Sequence, residues 1–459
     1  MTQAGPPGPT AHLECAIRLP HATAMVIGTI IGASIFVQPS EIVGRMPTVA
    51  GVFAVWIVAG ALTLFGALVC AELASAYPRS GGVYVFLRES YGPWLGFLWG
   101  WAMFWTMHSG IIAAIATVFA RYAAYALPNF LDPIIVGDMP MKVVAVGVIM
   151  LLSAVNWVGV RQGSTLQTLF TAGKLVAIGV MIVAGFVLGP AADGGVAGAV
   201  SGGPPVPALS GSAPGPDLRQ FALALVAGLF AFGGWHMVTY SADETVDAPR
   251  TIPRALAAGT LVVTACYIAL NAVYLHVLPM DAVAASTRIA ADAADAVLGR
   301  GGGALLAGLV MFSSFGALSG IILAGPRVYY AMAGDGLLFG WLGSVHARFR
   351  TPHRAIALQA VWSSVLVVTG TYRALFTRVI YTEWIFFGLM ALGLVLLRRR
   401  GNAPAYRVWG YPLVPVLFAI AAFAIVANQM VSDPGESATG LGLVLAGLPV
   451  YLIWGRRRG

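Results

Sequence analysis

Two short runs in this chain interrupt otherwise apolar segments with residues that free the backbone for binding. The first is Gly28-Thr29-Ile30-Ile31-Gly32-Ala33-Ser34, with Pro39 following, and the second is Phe230-Ala231-Phe232-Gly233-Gly234-Trp235. Glycine weakens a helix by about 1 kcal/mol relative to alanine. An opened turn within a hydrocarbon layer is tolerated only where it lines a cavity or is buried in protein. The N–H groups and positive helix end at such a break attract a carboxylate, and the freed carbonyls accept hydrogen bonds from an ammonium. Two breaks facing one another therefore suit a zwitterion carrying both groups, as an α-amino acid does. Close helix packing through small residues is the other reading, and Gly28 and Gly32 fit its spacing.

Ionisable side chains within apolar runs add a second kind of chemistry. Lys174 is one of only two lysines and lies nine residues into its segment, roughly 14 Å deep at the helical rise and near the midplane of a ~30 Å core. An intramembrane charge is a functional hypothesis by default, with pairing to helix-end carbonyls as its structural counterpart. His236 follows the second break, where it could line a side-chain pocket and titrate, or only hydrogen-bond a neighbour. His108 is a weaker candidate of the same kind. Glu383 is expected to pair with Arg378 or a hydroxyl, the alternatives being contact with a substrate's polar end or proton carriage. Glu72, Asp243, Glu244 and Arg327 fall at helix ends, where they read as an inner-gate charge network or as plain interfacial solvation.

The elements that must position these groups are apolar helices. Of the 459 residues 59% are hydrophobic and 10% charged, where a soluble domain carries roughly 25% charged residues; the surplus apolar surface needs a bilayer. Twelve segments are expected, at 18–43, 48–76, 94–126, 141–160, 165–189, 219–245, 254–279, 302–332, 355–372, 375–397, 411–431 and 437–455. The first 17 residues lack an apolar core, so no cleavable leader is expected. Placing the N-terminus inside puts 17 Lys and Arg on the cytoplasmic side against 8 outside, with Lys174 in the membrane; both termini are then cytoplasmic. The same distribution accounts for the net charge of +8 without nucleic acid. The glycine- and proline-rich stretch 190–218 reads as a flexible outer loop, and 281–301 as holding a small helix. The two breaks fall in the first and sixth segments, five apart, as corresponding elements do in two inverted five-helix repeats.

At this point the motifs carry a family resemblance. Gly28 through Phe36 resembles the first-helix signature of the amino acid–polyamine–organocation superfamily, and within it the chain is most similar to the L-type amino acid transporter family. Gly66-Ala67-Leu68, Ala71-Glu72-Leu73, Ser80-Gly81-Gly82-Val83-Tyr84, Ala154-Val155-Asn156, Ala172-Gly173-Lys174-Leu175, Arg250-Thr251-Ile252-Pro253-Arg254, Pro415 and Gly447-Leu448-Pro449-Val450-Tyr451 continue it in order. The resemblance implies an all-α polytopic membrane protein of the LeuT type. It would have twelve transmembrane helices, a five-plus-five inverted repeat (about 18–189 and 219–400), two C-terminal helices (401–459) and helices 1 and 6 broken. It implies that the backbone of Ala33 and Ser34, beside Gly32, binds a substrate carboxylate. Carbonyls of Ile30, Phe230 and Gly233, beside Gly234, would take the ammonium, and Phe230 would close the outer gate. Phe230 as an ordinary core aromatic is the alternative. Lys174 would occupy the place that a second sodium holds in coupled relatives. The family's usual Gly-Ser-Gly is Gly32-Ala33-Ser34 here, and its usual Asn after Gly-Gly-Trp is His236. The segment 127–141 has no cysteine, so no disulfide-linked heavy subunit is expected.

The expected function is sodium-independent exchange of neutral amino acids across the inner cell membrane by alternating access. Small Ala33 and Ser34 with bulky Phe232 and Trp235 hint at the neutral class. The runner-up is a proton-coupled symporter using His236 or Glu383. A membrane-embedded enzyme is disfavoured because the seven histidines are scattered with no nucleophile–base or metal-ligand spacing, so neither a metal nor a cofactor is expected. An open channel fits poorly with an occluding Phe.

Overall fold

The computed structural model describes residues 17–79, 81–126, 138–158, 163–189, 217–299, 301–346, 348–349, 351–401 and 404–456. These form helices and no sheet, with one isolated bridge between Ile17 and Thr245. Eleven helices among them are at least 18 residues long and apolar enough to cross a membrane, which supports a polytopic helical protein without confirming the expected twelve. The ninth expected segment folds as His353–Thr369, only 17 residues, or about 25 Å at the helical rise. Its end is set by Gly370 and by Thr371, whose side chain turns to cap the next helix at the Ala374 N–H. The glycine- and proline-rich stretch lies outside the described residues except for Asp217, which caps the sixth span by accepting from the Gln220 N–H at 2.6 Å. The small helix expected within 281–301 is Ile289–Leu298, and a face of alanines is buried.

Burial sorts the spans. In the third and sixth spans, 78% of the most apolar stretch is buried, against 28% in the fifth and 22% in the twelfth. The latter two therefore sit at the edge, and their side chains divide by face. On the fifth span Leu169, Val176, Val180, Val183 and Val187 are exposed, while Thr171, Lys174, Ile178 and Met181 are buried. That period of three to four is one helix face turned to lipid and the other to protein, which settles that Lys174 points inward. Close backbone approach joins the first span to the seventh. A Cβ on Gly259 would lie 2.6 Å from Val26, so only glycine allows the pair to pack this tightly.

Both expected breaks are present. The first span is helical over Leu19–Ile30, opens at Ile31 through Ala33, and resumes as a single tight turn at Ser34–Phe36. The sixth is α-helical over Leu218–Ala231, opens at Phe232 through Gly234, and continues as a 3-10 helix over Trp235–Glu244.

Candidate functional site

In the first break, most of the carbonyls find donors and the amides beyond them do not. Lys174 is 4% exposed, and its Nζ donates to the carbonyls of Gly28 at 3.1 Å and Ile31 at 2.9 Å. The Ile30 carbonyl accepts from the Gly32 N–H at 2.7 Å and from the Tyr267 hydroxyl at 3.0 Å. Among the described residues the N–H groups of Ala33, Ser34 and Ile35 donate to no backbone acceptor. Three successive unpaired donors at the start of a helical turn make a ready anion site.

The second break is the complement. The Gly233 N–H turns back to the Phe230 carbonyl at 3.0 Å, and the Ala231 carbonyl lies 2.9 Å from the same Tyr267 hydroxyl, whose one proton it shares with Ile30. The Gly233 carbonyl has no hydrogen-bond partner among the described residues. Gly234 stands at φ +91°, where a Cβ would meet the Thr29 carbonyl at 3.1 Å. Its own carbonyl accepts from the Thr29 hydroxyl at 3.2 Å. The two breaks thus touch backbone to backbone, an approach that needs glycine both for its torsion and for its missing side chain.

Between them lies a tight cavity of about 20 Å³, room for little more than a water in this closed arrangement, lined by Thr29, Ile30, Gly32, Ser34, Phe230, Gly233, Gly234, Met237 and Glu383 with apolar side chains of the third, eighth and tenth spans. The Phe230 ring covers one end against Phe376, 5.4 Å between centroids. Beyond it a wider cavity of about 460 Å³ holds Arg45, Arg219, Arg373, Glu41 and Glu436. At the opposite end Ile17 bonds into the end of the sixth span, donating to the Glu244 carbonyl at 3.0 Å and accepting from Val246 at 2.9 Å. Arg327 pairs with Glu244 at 3.2 Å. Asp243 faces a second wide cavity beside Arg88, which pairs with Asp335. Burial first, and then the Asp335 carboxylate, hold the Tyr84 phenol well above its ordinary value, so it serves Asp335 as a donor.

Several expected residues are placed differently. His236 is turned away from the cavity, and Met237 and Glu383 line it instead. Its ring is 1% exposed, caged by Trp99, Trp235, Tyr240 and Phe387; the 3-10 turn after Gly234 rotates it outward. Glu383 does not pair with Arg378, which is taken by Glu436. Glu72 is separated from the Glu244–Arg327 pair. Its carboxylate takes both arms of Arg398 at 2.6 Å and the Val408 N–H at 2.5 Å, which ties the second span to the tenth and to the chain beyond it. His108 contacts the Ile321 carbonyl at 2.7 Å. Ala33 is fully buried and is not among the residues that line the cavity, whereas its neighbours Gly32 and Ser34 are. Tyr267, Thr29 and Phe376 were missed by sequence reasoning. The two tyrosines amid the apolar 254–279 run, Tyr267 and Tyr274, were the available signal for the first.

The chain was compared with known proteins. The family model described as amino acid permease matches residues 17–454. The serine/threonine exchanger SteT of Bacillus subtilis (strain 168) is 31% identical over 444 residues, covering 96% of each chain. The human b(0,+)-type amino acid transporter 1 is 29% identical over 452 residues, 97% of this chain and 89% of its own. The human large neutral amino acids transporter small subunit 2 is 28% identical over 465 residues, 98% and 82% respectively. These relatives are transporters and exchangers, not enzymes. With a family match running from end to end of the apolar core, around two opened helices that line one cavity, this chain belongs to the amino acid permease family, among the L-type amino acid transporters.

Proposed function

We propose that the protein exchanges neutral amino acids across the cell membrane, independently of sodium, by alternating access. The observation that carries this is the division of the two breaks. Unpaired N–H groups at Ala33, Ser34 and Ile35 suit a carboxylate, and the unpaired Gly233 carbonyl suits an ammonium. Of the carbonyls expected to hold the ammonium, Gly233 has no partner among the described residues, Phe230 already accepts from the Gly233 N–H, and Ile30 accepts from Gly32 and Tyr267. The main ammonium acceptor is therefore assigned to Gly233, with Gly32 and Gly234 shaping the breaks. Phe230 with Phe376 forms the outer gate, and Glu244 with Arg327 and the Ile17 strap forms the inner one, with Asp243 beside it. Glu72 steadies the frame around that inner gate. Sodium independence rests on Lys174, whose fixed ammonium already satisfies the Gly28 and Ile31 carbonyls. The membrane orientation has both termini cytoplasmic, and 18–189 and 219–400 act as inverted repeats followed by the helices of 401–459. No heavy subunit is required. The relative named as a serine/threonine exchanger supports an exchange mode.

Proteoliposomes preloaded with amino acid or left empty, in sodium or choline buffer, test the reading. Uptake into preloaded vesicles only, equal in both buffers, is expected. A sodium requirement would refute the coupling assignment. One observation favours proton symport instead, namely a carboxyl group, Glu383, in the cavity wall; uptake into empty vesicles driven by an inward proton gradient would select that reading.

A further inference from the structure

Once the backbone of the two breaks is assigned to the α-carboxylate and α-ammonium, the cavity still holds a polar group with no assigned task. Val379, Ile380 and Glu383 line it from one face of the tenth span, below Phe376 by about two helical turns. Glu383 is 4% exposed, and among the described residues it makes no hydrogen bond or ion pair. Its nearest cation along the helix, Arg378, is held by Glu436. The rest of the side-chain lining is apolar at Ile111, Ile115, Met237, Ile321, Val379 and Ile380. Thr29 spends its hydroxyl on Met25, Val26 and Gly234 carbonyls, and Ser34 belongs to the break that offers N–H groups.

A buried carboxyl group without a partner is costly, and an acceptor left unmade by an apolar ligand keeps that cost. We propose that Glu383 reads the substrate's side chain, accepting a hydrogen bond from it. The preferred cargo is then an amino acid whose side chain carries a donor, and its apolar isostere is disfavoured. This rests on the amino-acid reading of the same cavity. A site built to hydrogen-bond a substrate group rejects the analogue lacking it far more strongly than an apolar pocket distinguishes one methylene.

Threonine and valine, which differ by a hydroxyl for a methyl, are the direct probe, with serine and alanine as a second pair. Competition against uptake of a labelled amino acid in proteoliposomes should favour threonine over valine by about fivefold or more in the unaltered protein, as one hydrogen bond to a buried carboxyl group allows. In Glu383→Leu that ratio should fall to about one, and in Glu383→Gln it should lie between. A wild-type ratio near one overturns the proposal whether or not the variants fold. So does a Glu383→Leu protein in which both competitors weaken equally, since the carboxylate would then serve the α-ammonium. A Glu383→Gln protein that loses proton-driven uptake at an unchanged ratio also overturns it, in favour of proton carriage. If no amino acid is taken up at all, the cavity's amino-acid reading fails first and this inference with it.

Discussion

The two opened helices solve one problem in opposite ways. Each break leaves backbone groups that a bilayer cannot satisfy. In the first span the repair comes from elsewhere in the fold: Lys174 of the fifth span and Tyr267 of the seventh supply donors to carbonyls. What remains unpaired there is the N–H side, at Ala33, Ser34 and Ile35. In the sixth span the repair is mostly local, the Gly233 N–H folding back on Phe230, and what remains is a carbonyl. The difference teaches that the satisfied half of each break is a frame, and on the proposed reading the unsatisfied half is the binding surface. Tyr267 touches both, so its single hydroxyl couples the two frames.

The largest effect is expected where the external repair is removed. Lys174→Ala leaves the Gly28 and Ile31 carbonyls without their charged donor, and hydrogen bonds to charged groups are worth about 1.5–3 kcal/mol each. Uptake in proteoliposomes should fall at least ~100-fold, and partial restoration by added sodium would show that the place accepts either cation. Normal transport by this variant would break the comparison. A smaller loss, about tenfold, is expected for Gly234→Ala, because the left-handed torsion costs roughly 1–2 kcal/mol for a residue with a Cβ. The added methyl would also press on the Thr29 carbonyl. Unimpaired exchange by Gly234→Ala would mean that the breaks need not touch. Tyr267→Phe removes one neutral donor shared by the breaks, worth about 1 kcal/mol, so transport should drop about fivefold. Equal loss of affinity for carboxylate-modified and amine-modified analogues would sharpen the assignment of Tyr267 to both frames. The smallest effect belongs to His236→Asn. With its ring caged outside the cavity, the pH profile of uptake between pH 5.5 and 8 should be that of the unaltered protein, and a flattened profile would return His236 to the site.

Glycine clusters inside apolar runs, five segments apart, were enough to locate both breaks, because an opened membrane helix has so few permissible causes. The depth of Lys174 was legible for the same reason, since a lysine that far from either interface must find a partner within the protein. The partners were less legible. Glu383 was expected beside Arg378, but the pairing of Arg378 with Glu436 depends on how the tenth span meets the twelfth. Glu72 was grouped with Arg327 by its position at a helix end, yet which neighbouring end it reaches is set by lateral packing, and that end carries Arg398. The ninth segment was expected to run to residue 372 and ends at Thr369, because Thr371 caps the next helix rather than extending this one.

The sequence by itself determined the membrane class, the order of the spans and the residues at which two of them open. Hydropathy and glycine content act locally, one segment at a time. Only the tertiary structure decided which opened groups stay unpaired, that Tyr267 bridges the breaks, that His236 faces an aromatic cage, and that Glu383 faces the cavity. Those outcomes depend on rotation of each helix about its axis and on contacts between residues tens to hundreds of positions apart, which the spacing of residues along one chain does not encode.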